Sequence, residues 1–206
     1  MKKYRFLKRA IDIIISLLVI SILWPIFVLI SVSIALASKG VVIFKHQRVG
    51  RNGKLFTLYK FRTMNMDTPQ YVSKPREDDY RINKVGRFLR KSALDELPQV
   101  FNVLKGEMSI VGPRPEMPFI VDSYTDKERE RLKVKPGITG LWQLSSKVKE
   151  PIHHNLDYDL SYIRNQLLFL DLKILFRTFI ISFEMLKNAL EGSLYKKNLI
   201  YEDFNG

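Results

Sequence analysis

The chain has 206 residues, a formal net charge of +13, 46% hydrophobic residues and no cysteine. That length suits one domain with an appendage, and the missing thiols exclude a disulfide framework, a thiolate zinc site and a cysteine nucleophile. So basic a balance points to an anionic partner: nucleic acid, a phosphorylated substrate or acidic lipid.

The charge is concentrated toward the N-terminus. Residues 1–66 hold twelve Lys or Arg and a single acid, Asp12, and so carry +11, while residues 67–206 contribute only +2. Residues 13–38 contain no charge at all. A straight helix of 26 residues would reach about 39 Å, more than the roughly 30 Å of a hydrocarbon core. Pro25 lies in the middle of this run. A proline there removes an intrahelical hydrogen bond and favours a kink, leaving two halves each too short to cross. Bases flank both sides: Lys2, Lys3, Arg5, Lys8 and Arg9 before, Lys39, Lys45, Arg48, Arg51 and Lys54 after. Cytoplasmic placement of both flanks is what a helix–break–helix that dips in and returns provides. An ordinary kinked transmembrane anchor is the competing reading. A cleaved signal peptide fits less well, because the apolar run is long and bases follow it at once.

Residues 41–46 read as a short strand, Asn52-Gly53 as a tight turn and residues 54–62 as the return strand. On that strand Phe56, Leu58, Lys60 and Arg62 share one face. Residues 65–80 are polar and proline-containing, hence a surface loop. Residues 84–91 form a short basic helix, and residues 96–105 a second helix stopped by Gly106. Residues 109–118 are extended and proline-stiffened. Residues 119–133 predict one exposed charged helix, Lys135-Pro136-Gly137 a turn, and residues 155–165 and 167–190 two further helices. In the last of these, Lys173, Arg177, Glu184 and Lys187 gather near one face, so it lies on the core or in a membrane interface. The elements together make an α+β chain, mostly helical with a small antiparallel β-hairpin. The expected division is a membrane segment with a basic flank over 1–38 and a catalytic domain over 39–206.

Four features could carry chemistry. Asp95-Glu96 sits where a helix begins. Such acids can cap the helix, with Asp95 as N-cap or Ser92 capping in its place. Equally, two carboxylates at a helix start can hold Mg²⁺ with phosphate oxygens, and an Asp carboxylate can attack phosphorus. Arg90, five residues upstream, could hold a carboxylate or phosphate with two nitrogens. Arg114 lies between Pro113 and Pro115, so its backbone is restricted. Lys60 and Arg62 could face a diphosphate. The 135–140 stretch offers glycine backbone near a ligand, but weakly by itself, and His153-His154 reads as surface. There is no P-loop, no GxGxxG and no GxSxG, and nothing in the bases matches a nucleic-acid-binding motif.

Read in order, the basic start, the apolar run with central Pro25, LYKFRTM (58–64), LDELPQVFNVLKGEMSIVGPRP (94–115), KPGITGLWQ (135–143) and LDLKIL (170–175) resemble the bacterial monotopic phosphoglycosyl transferases. The resemblance covers roughly residues 5–185. It implies a monotopic membrane enzyme at the cytoplasmic face of the bacterial inner membrane, with a re-entrant N-terminal helix–break–helix broken at Pro25 and interfacial amphipathic helices. It implies transfer of a sugar-1-phosphate from a UDP-sugar to polyprenyl (undecaprenyl) phosphate with release of UMP, as the first membrane step of glycoconjugate assembly. Asp95 would be the nucleophile and Glu96 its partner at a Mg²⁺ site, with Mn²⁺ a possible substitute. Lys60, Arg62, Arg90, Arg114 and Asp171 would bind substrate, and anionic lipid would hold the basic end. Two departures stand out: Trp24-Pro25 replaces the usual Ser-Pro, and Leu144-Ser145-Ser146-Lys147 replaces a Gly-Arg pair after TGLWQ. The alternative is a non-catalytic, membrane-anchored anion-binding protein, which accounts for the charge and the apolar run but not for the acid pair.

Overall fold

In a computed structural model, residues 2–38, 40–65, 68 and 79–191 are described. The loop expected over 65–80 falls mostly outside them. The chain opens with one long helix, α1 (Lys2–Ser38). Its helical conformation continues through Pro25, so no interruption separates two helices. A proline costs a helix one hydrogen bond and bends it, but intact turns on either side carry it through.

Packing along α1 is uneven in an informative way. Near its start, Asp12 and Ser16 are buried; near its end, Ile30 and Ile34 are buried. Between them Leu17, Leu18, Ile22 and Trp24 are largely exposed. Both ends of α1 therefore seat on the rest of the protein while its apolar middle does not.

After α1 comes an antiparallel hairpin, β1 (Ile43–Val49) and β2 (Leu55–Phe61), paired from Ile43–Phe61 to Val49–Leu55. The connection spans residues 50–54, longer than a two-residue turn, with Asn52 and Gly53 both at positive φ. Phe56 and Leu58 point into the main core, as strand alternation expects. Phe61 breaks the alternation because α1 covers it: it clusters with Ile30, Ile34 and Leu89.

Helix α2 (Lys84–Lys91) is capped by Asn83, whose side chain accepts from the Gly86 amide. The helix expected over 96–105 begins later, as α3 (Gln99–Lys105), preceded by a 3₁₀ turn at Leu94–Glu96. Neither Asp95 nor Ser92 makes a side-chain cap to α3, whose flanking residue is Pro98. The left-handed Ala93 (φ 57°) turns the chain into the 3₁₀ segment instead. Gly106 ends α3 at φ 84°, as expected.

A second small sheet escaped the sequence reading. β3 (Ser109–Val111) pairs in parallel with β4 (Gly137–Thr139). Gly112 and Gly137 meet backbone to backbone, and a Cβ on Gly137 would lie 2.1 Å from the Gly112 nitrogen. Close packing of the two backbones accounts for the glycine at 137. The single helix expected over 119–133 is broken into α4 (Pro118–Asp122), α5 (Asp126–Arg129) and a 3₁₀ turn, Glu130–Lys133. Thr125 and Glu128 form a capping box that restarts the chain as α5. This segment is not simply exposed, since Val121, Tyr124 and Arg131 are buried.

Helices α6 (Leu141–Leu144), α7 (Asp157–Arg164) and α8 (Leu168–Leu190) complete the fold. Asp171, Ile174 and Ile181 of α8 face the core, while Phe169, Leu172, Phe176, Phe179 and Phe183 are exposed at spacings of three and four. Helix α8 thus packs on the core with one face and leaves a second apolar stripe uncovered.

Candidate active site

The Asp95-Glu96 pair is positioned from below by α3. Asn102, fully buried in the middle of that helix, accepts from the Tyr59 amide (3.1 Å) and donates to Thr57 O and Glu107 Oε2 (2.7 Å each). This side chain fastens α3 to β2, the strand that carries Lys60. At the far end of α3, Arg9 donates to the carbonyls of Val103 (2.5 Å) and Leu104 (2.9 Å), in the last turn, where a helix runs out of its own donors.

Glu96 is clamped. Its Oε1 accepts from Lys60 Nζ at 2.6 Å and from Arg114 Nη2 at 2.8 Å, and its Oε2 lies 3.4 Å from Arg114 Nη1. Three segments distant in sequence meet on one carboxylate. Burial alone would raise the Glu96 carboxyl, but Arg114 and Lys60 outweigh it and hold the group well below the usual carboxylate range. The Arg114 guanidinium is raised in turn, chiefly by Glu96. It also lies 5.9 Å from the Trp142 ring.

Asp95 is treated differently by the same surroundings. Burial pushes its carboxyl above the usual range and Glu96 adds to this, while Lys60, Arg90 and Arg114 oppose it. Its carboxylate has no hydrogen-bond partner among the described residues, although cations surround it. The result is one carboxylate spent on holding cations and a neighbour left free for an incoming group. A free carboxylate beside a fixed one also suits a magnesium ion, which takes one or two protein carboxylates and completes its shell with phosphate oxygens and water. No cluster of three or more metal-ligating side chains occurs among the described residues.

Not every expected residue gathers here. Lys60 and Arg114 reach Glu96 directly, and Arg90 acts on Asp95 through its charge. Arg62 instead donates to Val41 O at 2.9 Å and lies 5.6 Å from the Phe44 ring. Asp171 is buried in another contact: it accepts from Tyr4 and Tyr162 (2.7 Å each) and pairs with Lys8 (3.0 Å). Sequence reasoning missed Asn102, whose signal was a polar residue inside a short apolar helix. It also missed Arg9, Arg131 and Asp159, for which spacing offers no signal.

Residues 3–185 match the family described as "Bacterial sugar transferase". The chain is similar to the undecaprenyl-phosphate galactose phosphotransferase of Salmonella typhimurium, 40% identical over 190 residues that cover 84% of this chain and 40% of that protein. It is 43% identical over 180 residues to a Klebsiella pneumoniae UDP-glucose:undecaprenyl-phosphate glucose-1-phosphate transferase, covering 83% and 39% of the two chains. A smaller relative, the exopolysaccharide production protein ExoY of Sinorhizobium fredii, is 36% identical over 187 residues, with 83% of each chain covered. The chain thus spans about two fifths of the length of the first two relatives and most of the third. A match along nearly the whole described chain makes this protein a member of the bacterial sugar transferase family.

Proposed function

We propose that the protein transfers a sugar-1-phosphate from a UDP-sugar to polyprenyl phosphate in two steps. The observation that carries this reading is the free Asp95 carboxylate beside the clamped Glu96. An Asp95 oxygen attacks the β-phosphorus of the UDP-sugar, the bond from that phosphorus to the bridging oxygen breaks, and UMP leaves. A phosphate oxygen of polyprenyl phosphate then attacks the same phosphorus and displaces Asp95. The products are UMP and a polyprenyl-diphosphate sugar. A covalent carrier suits a soluble donor and a membrane-bound acceptor, because the two can occupy the site in turn. Lys60, Arg90 and Arg114 offset the diphosphate charge. Asp95 and Glu96 would hold Mg²⁺, or Mn²⁺, which supplies further charge neutralisation at the phosphates. The names of the relatives, with UDP-glucose and UDP-N-acetylgalactosamine as donors and undecaprenyl phosphate as acceptor, support this pair of substrates.

The membrane reading extends the same proposal. Residues near both ends of α1 seat on one body while the apolar run from Leu17 to Trp24 is largely uncovered, which supports a re-entrant helix bent at Pro25. The exposed stripe of α8 would lie in the same interface. The basic N-terminal part would face anionic lipid at the cytoplasmic side. Tags on residues 1 and 206 that mapped to opposite sides of the membrane would overturn that topology.

The chemistry is tested by incubating the protein with Mg²⁺ and single UDP-sugars in the absence of lipid. One UMP per protein and a phosphosugar mass on Asp95 are expected. An Asp95→Asn variant that formed lipid-linked sugar at the wild-type rate would remove the proposal.

A further inference from the structure

Arg114 is mounted in a segment with no regular structure, residues 112–117, and prolines at 113 and 115 supply no amide donors. Its position therefore depends on who captures its carbonyls. Pro113 O accepts from the Gly137 amide at 2.8 Å and Glu116 O is taken by the Val49 amide at 3.0 Å. Pro115 O lies 3.5 Å from Arg48 Nη1. The carbonyl of Arg114 itself is held by a side chain: Arg131 Nη2 donates to it at 2.5 Å.

Arg131 is an unusual donor to spend on a loop. It is 3% exposed and its partner Asp159 is 1% exposed. Its Nε and Nη2 both donate to Asp159 Oδ2, at 3.0 and 2.5 Å, and its Nη1 donates to the Tyr124 hydroxyl at 2.6 Å. A buried ion pair adds little or nothing to stability relative to well-packed apolar side chains of the same volume. What it adds is direction. Asp159 and Tyr124 fix the plane of the guanidinium, and the remaining Nη2 hydrogen is aimed at one carbonyl. A lysine could pair with Asp159 but has no planar fork to span both acceptors.

We infer that the buried Arg131–Asp159 pair is a positioning device for Arg114, holding that residue's backbone so that its guanidinium meets Glu96. The inference rests on the transferase reading for its activity test, but not for its structural test. Neither residue touches the acid pair, so both act through Arg114.

The decisive variant removes both charges together, Arg131→Met with Asp159→Leu, so that no lone charge is left buried. It is expected to keep or raise its unfolding midpoint. Its kcat for UMP release is expected to fall about tenfold or more, because a misplacement near 1 Å can cost about a hundredfold. KM for the UDP-sugar should change little. Added to Arg114→Ala, the same exchange should cost nothing further, as for residues acting through one group. Equal losses in both backgrounds, or unchanged kcat in the exchanged protein, would overturn the inference. If the exchanged protein does not fold, Arg131→Lys takes its place and is expected to lose kcat in the same non-additive way; additive loss would again overturn it. Hydrogen exchange of the peptide covering 111–117 gives a readout free of substrate. Faster exchange there in the variant, with the rest unchanged, supports the inference. Unchanged exchange overturns it even if the wild type turns over no UDP-sugar, a result that would count against the transferase reading alone.

Discussion

Tyr4 and Asp171 are 167 positions apart in the chain and 2.7 Å apart in the structure. Lys8 and Tyr162 complete the same contact, so both Asp171 oxygens are occupied. One turn further along, Asp12 accepts from Ser109 Oγ (3.0 Å) and the Ile110 amide (2.9 Å). The first turns of the apolar helix are thereby latched to β3 and α8. Asp171→Ala takes an acceptor from a lysine and two tyrosines, leaving Tyr162 the Val111 carbonyl at 3.3 Å. It should cost about 3–5 kcal/mol, the range for breaking one side of a buried pair. Thermal unfolding in detergent checks this. An unchanged midpoint with a raised KM for UDP-sugar would instead return Asp171 to a substrate-binding role.

Glu96→Gln keeps the shape of the clamp but removes the charge that Lys60 and Arg114 share. Both cations are then free to move off the diphosphate position. The expected loss is about 10²–10³-fold in kcat, comparable to removing one preorganised electrostatic partner. Initial rates of UMP release give the measurement.

Arg114→Lys retains charge but replaces a two-nitrogen contact with Glu96 by a single ammonium. A rate loss of about tenfold is expected, with some activity kept, since the two cations are not equivalent at a forked site. Arg114→Ala should fall well below it. Equal activity in the lysine variant and the wild type would mean that geometry at this contact does not matter.

His46 sets an acid limit on stability. Burial, with Arg48 and Lys60 adding to it, pushes its imidazole down to about 4 from the ordinary 6.5. Between those values the unfolded chain binds a proton that the folded one does not. Stability should therefore fall as pH drops from about 6.5 to about 4, by at most about 1.4 kcal/mol per unit of separation. Unfolding midpoints measured across that range should slope less in His46→Gln than in the wild type.

Asp95 places a similar limit on activity. Its carboxyl is raised, so lowering the pH protonates it before an ordinary Asp and removes the attacking form. The acid limb of kcat/KM should lie above the ordinary carboxylate value of about 4. A pH profile of UMP release would read it directly, and a limb below that value would contradict the raised carboxyl.

Much of this site is legible along the chain because its signals are local. The start of α2 and the end of α3 follow from Asn83 and Gly106, a cap and a left-handed stop. The hairpin follows from alternation and from Asn52-Gly53. The helix expected over 119–133 failed for a local reason of the opposite kind. Charged residues at helical spacing masked the fresh start made by Thr125 and Glu128. The β3–β4 sheet was hidden because three-residue strands carry too short a pattern to read.

The sequence by itself determined the adjacency of Asp95 and Glu96, the proline-bounded Arg114, the uncharged run with Pro25 and the concentration of positive charge near the start. These are properties of neighbours, set by composition and spacing. Only the tertiary structure decided that Glu96 is occupied by Lys60 and Arg114 while Asp95 stays free, and that Asp171 is tied to Tyr4 and Lys8 rather than to the acid pair. Those contacts join segments 18 to 167 positions apart. Packing brings such segments together, and the burial that results is what raises one carboxyl and lets two cations hold down its neighbour.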